Sequence, residues 1–132
     1  MSQENVEIVK RGVDAFNRRD PDGMDELATP DCEWVTSMGP IEGEIFRGRE
    51  GAETYFARLS DAWEEFRTVA EDLRDLGEHV LLLGRIEGRG KGSGVPIDTA
   101  LGQIFDFRDG KVCRIRSYLS HGETLKAVGL AE

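Results

Sequence analysis

The chain has 132 residues, 39% of them hydrophobic and 33% charged, with a formal net charge of −9. That length suits one domain with a core of its own. The acidic balance argues against nucleic acid and anionic membrane surfaces as partners, since both call for a basic face. No apolar run approaches a membrane span, and the polar start MSQENVEIVK lacks the apolar stretch of a signal peptide, so a cytoplasmic location is expected. The two cysteines, Cys32 and Cys113, stand far apart and outside any metal-ligand spacing, so neither a metal nor an organic cofactor is expected.

In chain order, Val6, Val9, Val13 and Phe16 recur at helical spacing and predict a first helix reaching about Arg19. Asp20-Pro21 stops it and starts a short second helix, with Asp20 as cap and Met24 and Leu27 buried; Pro30 ends it. Cys32 to Met38 alternates and reads as the first strand, followed by a glycine-rich loop from Gly39 to Gly48. A third helix is predicted from about Arg49, with the stripe Ala52, Tyr55, Phe56, Leu59, Ala62, Trp63 and Phe66. The period then changes. Arg67–Leu76, His79–Arg89, Val95–Phe107 and Lys111–Leu119 read as four antiparallel strands. Asp109-Gly110 is a hairpin turn between the last two, because both residues tolerate positive φ. Ser120 and Glu123 have capping-box spacing for a last helix to about Val128, which Gly129 stops. Helices ahead of an antiparallel meander mean an α+β domain spanning residues 1–132. A bent sheet with helices on its concave side makes a cone whose mouth is a natural ligand site.

Candidate chemistry follows from strand parity. Arg85 and Glu87 share one face. Facing the cone, Glu87 would act as a general base on water and Arg85 would polarise an oxygen; facing solvent, they form a surface ion pair of little worth. Gln103 interrupts the apolar face Leu101, Phe105, Phe107, and either satisfies a neighbouring strand or faces a ligand. Ser117 is expected to point inward, and no His-Asp pair beside it suggests a nucleophile. Trp34 and Thr36 share a face of the first strand. Trp34, Tyr55 and Phe56 read as core or as ligand wall. His121 is read as a capping-region histidine near the cone's mouth. The run from Gly88 to Gly94 lacks the Lys-Ser/Thr ending of a phosphate loop and reads as a flexible hairpin. Arg114, Arg116 and Tyr118 lie beside Ile104 and Asp106 on the other face of the last two strands, a surface suited to a homodimer.

The order of elements, the segments AFNRRDPDGMDEL, DCEWVTS and FRGREGAETYF, and the ending FRDGKVCRIRSYLSHGETLKAVGL resemble the nuclear transport factor 2-like superfamily, and within it the SnoaL-like (polyketide cyclase-like) proteins. The resemblance implies the cystatin-like cone fold and covers nearly the whole chain. It implies function only weakly, because the fold hosts isomerases, cyclases, hydrolases and non-catalytic binders. Where steroid isomerases of this fold carry a base, a tyrosine and an aspartate, this chain has Thr36, Gly12 and Gln103. Where epoxide hydrolases of the fold carry Arg-x-Asp and a second aspartate, it has Arg85-Ile86-Glu87 and Ser117. The expected function is therefore a pocket for a small, mostly apolar molecule, with Glu87 and Arg85 as the acid/base pair of a cofactor-independent isomerase, cyclase or hydrolase. The alternative is a non-catalytic ligand-binding or dimerisation domain.

Overall fold

The computed structural model describes residues 2–36 and 45–130. Helices α1 (Ser2–Asn17) and α2 (Pro21–Leu27) come first, then strands β1 (Ala28–Val35) and β2 (Ile45–Arg47), then α3 (Gly48–Ala62). Strands β3 (Trp63–Asp75), β4 (His79–Gly90), β5 (Pro96–Arg108) and β6 (Lys111–Tyr118) follow, and α4 (His121–Ala127) closes the fold. The six strands form one mixed sheet in the order β2-β1-β6-β5-β4-β3, with β1 and β6 parallel and the other neighbours antiparallel. The fold is the α+β cone.

Local chemistry explains the element ends. Asp20 caps α2, its Oδ1 accepting from the Gly23 N–H at 3.0 Å, with Pro21 at the first helical position. Ser120 Oγ accepts from the Glu123 N–H at 3.2 Å at the start of α4. Asp109 and Gly110 have φ of 54° and 80°, as the β5–β6 turn requires.

Four boundaries differ from expectation. The first helix stops at Asn17, because Arg19 takes a φ of 55° and breaks the helical run. The first strand starts at Ala28, since the short second helix ends with Leu27 buried and the chain extends at once. Its expected end at Met38, and the loop from Gly39 up to residue 44, lie outside the described residues. Ile45–Arg47 is a further strand within the expected loop. The third helix ends at Ala62, so Trp63 and Phe66 belong to β3 and not to a helical stripe. Phe66 is buried and Trp63 half-buried among the same aromatic residues that α3 covers, which is why one apolar spacing served two backbone states.

The sheet carries apolar side chains on both faces. On the concave face, Val80, Leu82, Ile86, Leu101, Phe105, Val112 and Ile115 pack against Val9, Phe16, Phe56 and Leu59 from the helices. On the convex face, Leu81, Leu83 and Ile104 pack under Leu125 and Val128 of α4 and Tyr118. The last helix thus lies on the outside of the cone, away from its mouth. His121 donates from Nε2 to the Gly84 carbonyl at 2.9 Å, which fastens α4 to β4. Gly102 makes room for the helix: a Cβ there would stand 1.9 Å from Thr124 Oγ1.

Candidate functional site: an enclosed apolar cavity

The concave face of the sheet and helices α1–α3 line a cavity of about 100 Å³ that opens to solvent at a mouth. One water needs roughly 10–15 Å³ of such space, so the cavity suits a small organic molecule. Its walls follow from the alternation of the strands. Trp34 stands opposite Ile115 and Ile115 opposite Phe105. This gives an apolar row across three strands of the wall. Gly12, Val13 and Phe16 of α1, Met24 of α2 and Ala52 and Tyr55 of α3 close the other side.

Aromatic rings hold the wall in shape. The Trp34 ring lies 5.2 Å from Tyr55 and 6.0 Å from Phe16, both edge-to-face, and Phe46 lies 5.1 Å from Tyr55. Such pairs contribute about 0.5–1.5 kcal/mol each beyond their burial. Phe56 packs behind this layer, 5.7 Å from Phe16, and does not line the cavity. The Arg19 guanidinium closes the rear of the aromatic layer, 4.9 Å from the Phe16 centroid, and donates to the Phe16 and Phe66 carbonyls.

One step along the strands from the apolar row, polar groups replace apolar ones. Gln103 stands opposite Ser117, and its Nε2 donates to Ser117 Oγ at 3.0 Å. Val35 pairs with Arg116, so the next residue, Thr36, continues the row beside Ser117. All three side chains line the cavity. The Tyr55 hydroxyl adds a fourth neutral group. Desolvation pushes its pKa up to about 12, against the pull of Arg19, so it stays protonated. Desolvation likewise pushes the Cys32 thiol in the wall up to about 12, which makes it an inert packing group.

Charge in the described lining is confined to the mouth. Among the described lining residues only Asp25 and Arg49 are charged, and both are exposed. Arg49 is held outward by Asp22 at 2.5 Å and Glu53 at 3.0 Å. Neither mouth residue was singled out from sequence. Asp25 lies beside Met24, one of the two positions read as the buried side of α2, and that adjacency was the available signal.

The expected acid/base pair is placed elsewhere. Even positions of β4, namely Val80, Leu82 and Ile86, point into the cone, so Arg85 and Glu87 point out of it. On the convex face Arg85 binds Glu87, Glu71 at 2.6 Å and Asp98 at 3.0 Å. The inward placement of Glu87 and Arg85 is therefore corrected: neither side chain reaches the cavity. The signal was Ile86, the one apolar side chain of the Arg85-Ile86-Glu87 triplet, which claims the core face. Of the other sequence candidates, Trp34, Thr36, Tyr55, Gln103 and Ser117 are brought together around the cavity, and Phe56 is set behind it. Gly12, standing where isomerases of the fold carry a tyrosine, lines the cavity as well.

Among the described residues no cluster of three or more His, Cys, Asp or Glu side chains could hold a metal ion. No helix among them is long and apolar enough to cross a membrane.

Comparison with known proteins agrees with the geometry. No curated protein matches this chain. Among solved structures, a protein of unknown function from Burkholderia pseudomallei K96243, described as NTF2-like, superposes with a TM-score of 0.79 at 19% identity, covering 96% of this chain and 98% of that one. TerC, co-crystallised with polyporic acid, gives 0.78 at 23% identity, with 96% and 97% covered. A putative SnoaL-like polyketide cyclase from Jannaschia sp. CCS1 gives 0.77 at 24% identity, with 98% and 92% covered. At these identities the likeness is one of fold. The SnoaL-like domain family model matches residues 9–115, from α1 to the inward-facing Ile115 of β6. The chain belongs to the SnoaL-like domain family.

Proposed function

We propose that this domain encloses a small, mostly apolar, uncharged molecule in the cone and acts as a binder of it. The observation that supports this reading most is the distribution of charge. The interior carries hydroxyls, one amide and aromatic rings, while Asp25 and Arg49 stay at the mouth. An ion buried among such groups would lose its hydration without an opposite charge to replace it. An apolar body gains about 25 cal/mol for each Å² it removes from water.

Isothermal titration with indane, a nine-carbon bicyclic hydrocarbon, tests the reading. Saturable one-to-one binding with a negative heat-capacity change is expected. Absence of binding up to the solubility of indane contradicts it.

A second reading, acid/base catalysis on the bound molecule, is favoured by one feature: Asp25 is a carboxylate at the edge of the same cavity. A carboxylate there can exchange a proton with the part of a ligand nearest the mouth. Turnover that disappears in Asp25→Asn while ligand affinity persists would establish it.

Association of two copies through the convex face belongs to the same proposal. That face presents two charged groups, Arg85 with Glu71, Glu87 and Asp98, and His79 with Asp106 and Arg116, on either side of the α4 seat, a mixed-charge surface that can complement itself about a two-fold axis. A dimer mass by light scattering at micromolar concentration is expected, and a monomer mass removes the idea.

A further inference from the structure

We infer that the Gln103–Ser117 pair is an anchor for a ligand group that donates and accepts a hydrogen bond at once, so that the ligand class is a neutral alcohol or amide on an apolar skeleton. The inference rests on the cavity being a binding site. Its basis is the bonding of the pair. Gln103 and Ser117 face each other across β5 and β6 and both line the cavity. Their mutual bond uses one amide hydrogen and one hydroxyl lone pair. The Ser117 proton, the second Gln103 amide hydrogen and the Gln103 carbonyl oxygen remain, so donors and an acceptor stand side by side. The alternative amide orientation, with Gln103 accepting from Ser117, leaves the amide hydrogens and an oxygen lone pair, again donor and acceptor together, so the conclusion does not depend on which way the amide is turned.

With Thr36 beside Ser117, this pair forms the polar end of the lining. Leu82 flanks Gln103 on β4, and the row one step away is Trp34, Ile115 and Phe105. A ligand lying on that row brings its polar end to Gln103 and Ser117. A hydroxyl meets donor and acceptor at once. A ketone meets only the donors and leaves the acceptor unpaired. A carboxylate meets the acceptor oxygen with like polarity and has no cationic partner there.

The test compares indane, 2-indanol, 2-indanone and indane-2-carboxylate by calorimetric titration of the wild-type protein, Gln103→Leu and Ser117→Ala, with circular dichroism to confirm that the variants fold. The wild type is expected to bind 2-indanol about tenfold more tightly than indane, the yield of one to two net hydrogen bonds. The ketone falls between them and the carboxylate binds most weakly. Each variant is expected to erase the preference for 2-indanol, read as the ratio of the 2-indanol and indane affinities measured on the same protein. Equal wild-type affinity for indane and 2-indanol overturns the anchor but leaves the cavity as a binding site. So does a preference that survives both substitutions, or tight binding of the carboxylate. Failure of all four compounds to bind overturns the cavity reading and the anchor with it.

Discussion

Tyr55 and Cys32 are the two residues whose protonation the fold alters most in the cavity wall. Both lose hydration on folding, and both have their pKa pushed up to about 12. For a group whose folded pKa lies above its unfolded one, the folded state holds the proton longer. Its stabilising effect is complete below the unfolded pKa and is lost as pH rises toward the folded value. The urea midpoint is therefore expected to fall between about pH 9 and pH 12. Tyr55→Phe is expected to flatten the part of that fall above about pH 10. A slope identical in wild type and Tyr55→Phe would mean that the phenol is not desolvated. The pair Arg85 and Glu87 leads to the opposite kind of expectation. Their side chains are a third or more exposed, at 35% and 37%, and the arginine already has Glu71 and Asp98 as further partners. Glu87→Gln is expected to leave ligand affinity and the urea midpoint unchanged, as exposed ion pairs contribute little. A loss of ligand binding in Glu87→Gln would place that carboxylate in the site after all.

At the scale of elements, α4 and its seat on the sheet are the most exposed to a single substitution. Gly102 and Thr124 touch so closely that any side chain at position 102 must move the helix or the strand. Gly102→Ala is expected to destabilise by about 1–3 kcal/mol, the usual cost of overpacking, read as a lower urea midpoint. Since α4 lies on the convex face, affinity for a cavity ligand should survive in the fraction that folds. Much of this layout is legible in the residues themselves. The Asp109-Gly110 turn, the Asp20-Pro21 helix start and the Ser120 cap each rest on side-chain or φ requirements that act within a few residues. The extent of α3 and the face of β4 are not local in that sense. Trp63 and Phe66 continue a helical spacing, yet both join the aromatic layer from a strand. Val80 to Leu83 are apolar on both faces because α4 returns to cover the outside, so the run hides its own parity. Ile86 alone reveals it. The parallel pairing of β1 with β6, which joins residues about eighty positions apart, sets Thr36 beside Ser117 and has no short-range signature.

For the whole molecule, chemistry and charge are separated by the sheet. Among the described residues, the charged groups of the lining are Asp25 and Arg49 at the rim, Arg19 lies behind the aromatic layer, and the ion-paired cluster around Arg85 lies on the convex face. Thr36, Gln103 and Ser117, which the family resemblance sets against the acids of catalytic relatives, gather in one place in the cavity lining and offer hydrogen-bonding groups there.

The most direct test is a ¹H–¹⁵N NMR map of the protein titrated with 2-indanol. Saturable shifts at the Trp34 indole, the Gln103 side-chain amide and the backbone amides of Ile115 and Ser117 are expected, with Arg85, Glu87 and Asp98 unmoved. Shifts gathered on Arg85, Glu87 and Asp98, with the Trp34 and Gln103 signals still, would contradict the placement of the site inside the cone.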